Sequence, residues 1–192
     1  MIKNPDIPSI DGPVLIDAVL LRFQNILSAN LEWLNFAFGK CRKLKKSDKK
    51  NTIIYPGIYS GDIDDYMSLF PDRHIGNFSF FDMDDPDGVV EIDRFNFDHK
   101  VRGGLIFHYS FEDIFPNNHE NKTEENVKSL VLQVLKKVRI QNGSFSVLNI
   151  VEEAANIYKG YTDQEVQNQF LKRPYGGFRV NLEINYSDIN IC

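Results

Sequence analysis

The chain has 192 residues, 42 % of them hydrophobic and 26 % charged, and a formal net charge of −5. That length supports one domain with a core of its own, and the composition excludes a disordered, fibrous or disulfide-stapled chain. The acidic balance excludes a surface built wholly to wrap nucleic acid, and no stretch is apolar enough to span a bilayer as a helix.

The first residues, MIKNPDIPSIDGP, are polar and broken by prolines, with no signal-peptide pattern. Residues 1–12 are expected to form an extended arm, residues 13–187 a single domain and residues 188–192 a short tail. Asp11 can cap a helix and Pro13 suits its first turn. From Val14, the apolar residues Ile16, Val19, Leu20, Phe23, Leu27, Leu31, Leu34 and Phe38 recur at three- and four-residue steps. This predicts one long amphipathic helix ending near Gly39, a natural C-terminal cap.

The next stretch, KCRKLKKSDKK, carries Lys40, Arg42, Lys43, Lys45, Lys46, Lys49 and Lys50, seven of the 22 basic residues, beside one acid, Asp48. It reads either as a solvated loop after the helix or as a loop facing polyphosphate.

Residues 51–60 predict a strand, with Pro56 forcing an edge or a bulge, and residues 62–70 a short helix. Further strands are predicted at 75–83, 89–97 and 105–111, with Gly103-Gly104 as a bulge or turn between the last two. Thr123, with Glu124 and Glu125 directly after it, starts a second helix running through Arg139, with Lys136, Lys137 and Arg139 at its negative end. Residues 144–151 form a strand, although 148–158 also fits a helix, and DQEVQNQFL is a short helix or a loop. In the closing segment 175–187, Phe178, Val180, Leu182, Ile184 and Tyr186 alternate with Arg179, Asn181, Glu183 and Asn185, so one side is wet or faces a partner. The fold class is α+β: a mostly antiparallel sheet packed by a long N-terminal helix and a second helix.

The segment PDGVVEIDRFNFDHK, residues 86–100, has the outline of a Mg-dependent PD-(D/E)xK-type nuclease. Such a site needs carboxylates converging on one metal beside a lysine. Run as one straight strand, Asp87 and Asp98 would lie roughly 35 Å apart, and VVEIDRFNF contains no Gly or Pro at which to turn. DMDDPDG fits no calcium-loop register. His74, His99, His108 and His119 show no HxH or HxxxH spacing, and no phosphate-binding loop, GxSxG or dinucleotide fingerprint occurs. Cys41 sits in a basic setting that would lower its pKa but has no partner base, and with Cys192 it shares no metal-ligand or disulfide pattern. The expectation is therefore no catalytic residue, no metal and no cofactor.

The helix VLIDAVLLRFQNILSANLEWLNFAF, the strand GGLIFHYSFED, the helix TEENVKSLVLQVLKKV and the closing RPYGGFRVNLEINY occur in an order of elements that resembles phage tail-terminator or tail-completion proteins. The chain also resembles the neck ring proteins of crAss-like bacteriophages. The resemblance implies a homo-oligomeric ring of six or twelve subunits in the head-tail connector, contacting portal and neighbouring neck or tail proteins. It implies a virion protein, found in host cytoplasm during assembly, whose arm reaches a neighbouring ring. Genomic DNA would pass through the channel in transient contact with the Lys40–Lys50 segment.

Overall fold

The computed structural model describes residues 6–8, 10–48, 51–59, 66–69, 75–84, 88–93, 96–117, 123–162 and 173–188. The fold is α+β, built on a mostly antiparallel sheet against which the N-terminal helix packs.

That helix, α1, spans Leu15–Asn30 and buries Ile16, Val19, Leu20, Phe23 and Leu27 along one stripe. Val14, not Asp11, holds the N-cap position, and no side chain caps the helix. The helix stops well short of Gly39. Leu31 N–H still donates to Leu27 O at 2.8 Å, and the chain then turns. Asn35 fixes the turn: its Oδ1 accepts from Asn77 N–H at 2.7 Å, while Asn77 Nδ2 donates to Trp33 O at 2.8 Å. Beyond the turn the chain runs as strand β1, Phe36–Lys40. Leu34 and Phe38 suit a helix at spacing four, but Phe36 and Phe38 at spacing two stack their rings 5.2 Å apart on one side of a strand. Gly39 lies inside this strand, where a Cβ would touch Gln24.

The basic stretch is likewise not a loop. Arg42–Asp48 forms β2, which pairs antiparallel with β3, Asn51–Tyr59. A third strand, β4, Tyr66–Ser68, completes a small sheet and stands where a short helix is predicted. β3 is the middle strand, yet Pro56 is tolerated because β4 pairs only with Gly57–Tyr59.

The main sheet contains β5, Phe78–Met83, β6, Gly88–Asp93, and β7, Asn96–Ser110. A helical turn, α2, Phe111–Ile114, comes next, and then helix α3, Glu124–Leu135. Strand β8 is Gly143–Val151, α4 is the single turn Ala154–Ile157, and β9 is Tyr175–Ser187. The strand order is β1-β5-β7-β9-β8, with β6 also on β7. One edge of β7 is paired with β9, while β5 and β6 share the other edge end to end. β1 and β5 are parallel, and the small sheet lies within the connection between them. Thr123 caps α3 as its sequence predicts, accepting from Asn126 N–H at 3.3 Å. α3 ends at Leu135 rather than Arg139, whose guanidinium turns back to donate to Lys136 O and Val138 O. The predicted element DQEVQNQFL lies outside the described residues.

The sheet has a core on each face. On one face α1 and α3 cover Phe81, Leu105, Phe107, Phe178, Val180 and Ile184. Phe23 inserts there, edge-on to Phe81 and Phe145 at ring separations of 5.7 and 4.9 Å. On the other face the small sheet and the α4 region bury Phe38, Ile58, Phe80, Ile106, Ile157 and Tyr158. Asp6 forms a parallel bridge to Phe36 on the outer edge of β1, and buried Gln24 donates to Ala37 O at 2.7 Å and to Pro8 O at 3.3 Å. This part of the arm lies on the chain's own fold.

Candidate functional site

The seven basic residues of the predicted loop divide once the stretch is a strand. Lys40 ends β1, half-buried. Arg42, Lys43, Lys45 and Lys46 are exposed on β2, and Lys49 and Lys50 lie outside the described residues. Arg42 lies over the Tyr66 ring at 4.6 Å, held across the small sheet. Lys43 points inward, 3.6 Å from Asp82 Oδ1 and over the Tyr161 ring. Lys45 and Lys46 are the pair left facing solvent.

The nuclease outline is arranged differently from the expectation. VVEIDRFNF is not one strand. The chain reverses between Asp93 and Asn96, without Gly or Pro, so Asp98 pairs with Val90 and Lys100 with Gly88. The separation argued from a straight strand does not hold. Asp87 itself lies outside the described residues. Lys100 is committed to Glu183, at 2.8 Å, and Arg102 joins the same carboxylate at 2.7 Å. These two cations hold the Glu183 carboxyl below its usual range. Among the described residues no three His, Cys, Asp or Glu side chains converge on a common point.

The most elaborate arrangement centres on Arg179 and Asp82, both almost fully buried. The register places Asp82 of β5, Gly104 of β7 and Asn181 of β9 in one row across the sheet. Arg179 starts one row away and reaches over Gly104. A Cβ at Gly104 would sit 2.1 Å from Arg179 Nε, so only glycine leaves the guanidinium its path. Arg179 Nη1 then donates to Asp82 Oδ2 at 2.6 Å and Nε to Asn181 Oδ1 at 2.8 Å. Tyr161 Oη donates to Asp82 Oδ1 at 3.0 Å, and Cys41 Sγ lies 3.1 Å from the same hydroxyl. Gly103-Gly104 is thus neither bulge nor turn, since both ladders pass through it in register. Gly176-Gly177 is also in register within β9, and Gly176 makes room for the Tyr109 and Phe111 rings.

Cys41 departs from the sequence expectation. Burial and the neighbouring Asp82 push its thiol up to about 12, outweighing the pull of Lys43 and Arg179. At neutral pH it is a protonated thiol, a weak hydrogen-bonding group rather than a nucleophile. Burial raises the Tyr161 phenol strongly as well. Chemically, the cluster ties β5, β9 and the residues after α4 together around one carboxylate. Cys192 lies outside the described residues.

Two histidines are packed rather than poised as ligands. His99 stacks on Tyr186 at 4.7 Å, and His108 lies between Phe78 and Tyr175 at 5.2 and 5.8 Å. Burial lowers His108 to about 4. His74 and His119 lie outside the described residues.

The last feature is an edge. Among the described residues β8 pairs with β9 on one side only and ends the main sheet. Its residues, GSFSVLNIV, include no charge and no proline. Val147 and Leu148 are 39 % and 51 % exposed. A single register shift between Val147 and Asn149 interrupts the ladder. No helix among the described residues is long and apolar enough to cross a membrane. No family model, curated protein or solved structure matches this chain.

Proposed function

We propose that this chain is a structural subunit of a closed ring in the head-tail connector of a tailed bacteriophage, joining portal to tail around the DNA channel. The observation that carries this reading is the open edge of β8. Monomeric proteins blunt such edges with lysine, proline or a covering segment, because unpaired N–H and C=O groups template pairing with another chain. Among the described residues β8 has only its bulge, while the opposite end of the sheet is occupied by Asp6. A second copy of the subunit is the partner that a ring supplies at every junction. The exposed Lys45 and Lys46 then serve as the channel-facing or partner-facing cations. A few screened lysines hold passing DNA loosely.

The test is the double substitution Val147→Lys, Leu148→Lys. Both positions are exposed, so the monomer is expected to fold. Ring formation, observed by negative-stain imaging with the portal protein, is expected to be lost. Rings in normal yield would overturn the reading. Lys45→Glu with Lys46→Glu is expected to leave ring formation intact and impair DNA retention.

A Mg-dependent nuclease is the second reading, favoured only by the β6–β7 turn that brings Gly88 opposite Lys100. Plasmid cleavage with Mg²⁺ that disappears in Lys100→Ala would establish it, and intact plasmid would remove it.

A further inference from the structure

Beside the Arg179–Asp82 pair the sheet opens into a cavity of about 300 Å³ between β7, β8, β9 and the end of α4. Its size is at the small end of ligand sites. Three cations, Arg102, Lys159 and Arg179, contribute to its wall, together with Asn149 and Asn181, and Asp84 is the acid at its rim. We infer that this cavity is a binding site for the oxyanion group, phosphate or carboxylate, of a small ligand. The inference does not depend on the ring reading.

Charge is the first argument. The acids nearby are oversubscribed: Glu183 is shared by Lys100 and Arg102, and Asp82 by Arg179 and Lys43. Lys159 has no ion pair among the described residues. Among the described residues positive charge is left over at this spot, in a chain whose net charge is −5.

Donor geometry is the second argument. A guanidinium carries five N–H donors. Arg179 directs three toward Asp82 Oδ2, Asp82 O and Asn181 Oδ1, which leaves two without a close acceptor on a residue that lines the cavity. Because Asn181 Oδ1 accepts from Arg179, its Nδ2 is turned outward and donates to Asn149 Oδ1 at 2.6 Å. That bond occupies the Asn149 oxygen and leaves its Nδ2 as a donor on the cavity wall. The chain from Arg179 through Asn181 to Asn149 therefore orients the amides as donors in advance, and pre-set donors are what an anion needs. Arg179 itself is 4 % exposed and anchored, so its position does not have to be organised when a ligand arrives.

Asp84 supplies the last part. Its Oδ1 lies 3.7 Å from Arg179 Nη2, too far for a good hydrogen bond, and its side chain is 58 % exposed. It is the acid an entering oxyanion would displace from Arg179.

The experiment is a ¹H–¹⁵N NMR titration of the full chain, with inorganic phosphate in one arm and acetate in the other, at ionic strength held constant with NaCl. Saturable shifts are expected at the Asn149 and Asn181 side-chain amides, with a midpoint of order ~1–10 mM for a few charge-assisted contacts. Lys159→Ala and Arg102→Ala, both at exposed positions, are each expected to weaken binding about threefold or more, and Asp84→Asn to tighten it by a similar factor. A stronger response to phosphate identifies a phosphorylated ligand, and a stronger response to acetate a carboxylate. Absence of saturable shifts in both arms, or an unchanged midpoint in the Lys159→Ala, Arg102→Ala double variant, overturns the inference.

Discussion

On the helix side of the sheet, Phe23 packs among Phe81, Phe145 and other apolar groups. On the other side, one layer away, Arg179 and Asp82 are buried almost as completely, within a network of a thiol, a phenol and an amide. The apolar side is non-directional: any side chains of similar volume and shape fill it nearly as well. The polar side is directional, because each donor has one acceptor and one path. Both faces bury apolar side chains, and the polar cluster on the second adds what apolar packing does not, fixed relative positions of β5, β9 and the α4 region. Substitutions on each side separate the two.

The largest effect is expected from Asp82→Leu, which strands the Arg179 charge in the interior and costs about 3–5 kcal/mol. Adding Arg179→Met is expected to recover most of that loss, since both charges are then gone. Phe23→Ala costs a comparable ~3–5 kcal/mol by leaving a cavity, and no second polar substitution restores it. Chemical denaturation of the four variants measures both costs. Equal, additive losses for Asp82→Leu and Arg179→Met would place the two faces in one class.

Next is pH. His108 lies on the polar side, packed between aromatic rings, with its folded pKa lowered to about 4 from 6.5. Below 6.5 the unfolded chain takes up a proton that the folded chain refuses until about 4. Stability is therefore full above that window and falls as pH drops through it, by up to roughly 3 kcal/mol. His108→Phe, compared with the parent at several pH values, is expected to flatten this part of the profile. A slope that persists unchanged would assign the effect to carboxylates instead.

The smallest effect expected is from Gly104→Ala. The new methyl meets Arg179 Nε and costs about 1–3 kcal/mol. In an Arg179→Ala background the same change is expected to cost much less, because the Cγ, Nε and Cζ atoms that the methyl meets are gone. A full cost in both backgrounds would mean that β7 itself, and not Arg179, requires glycine there.

Much of the fold was legible from periodicity. The start of α3 with its Thr123 cap and the full span of β9 arise from patterns that one physical rule decides, and β8 resolves as a strand where a helix from 148 also fitted. The failures fall where two rules compete. Leu34 and Phe38 satisfy a helix spacing, but Asn35 and the Phe36–Phe38 pair favour a turn and a strand. Lys43 and Lys45 look like loop residues until the ladder with β3 is seen, which sets Leu44 over Gly57 on one side and turns Lys43 toward Asp82 on the other. The β6–β7 turn carries no Gly or Pro, so no local signal marked it. The buried ion pair did leave a trace: an arginine on an interior strand, and a glycine pair in the middle of another. Such a pair signals close approach as well as a bulge, but only the register β7↔β9 tells which side chain approaches.

The bridge from Asp6 to Phe36 has a consequence for how copies can join. On the proposed ring reading, β8 is the receptive end of the sheet and β1 a stopped one. Two copies meeting β8 to β8 form a two-fold pair and go no further. Copies adding β8 to β1, head to tail, must first lift Asp6 from its neighbour's sheet at every junction. On that reading the Asp6 bridge stands between a pair that closes on itself and a sheet that continues from subunit to subunit.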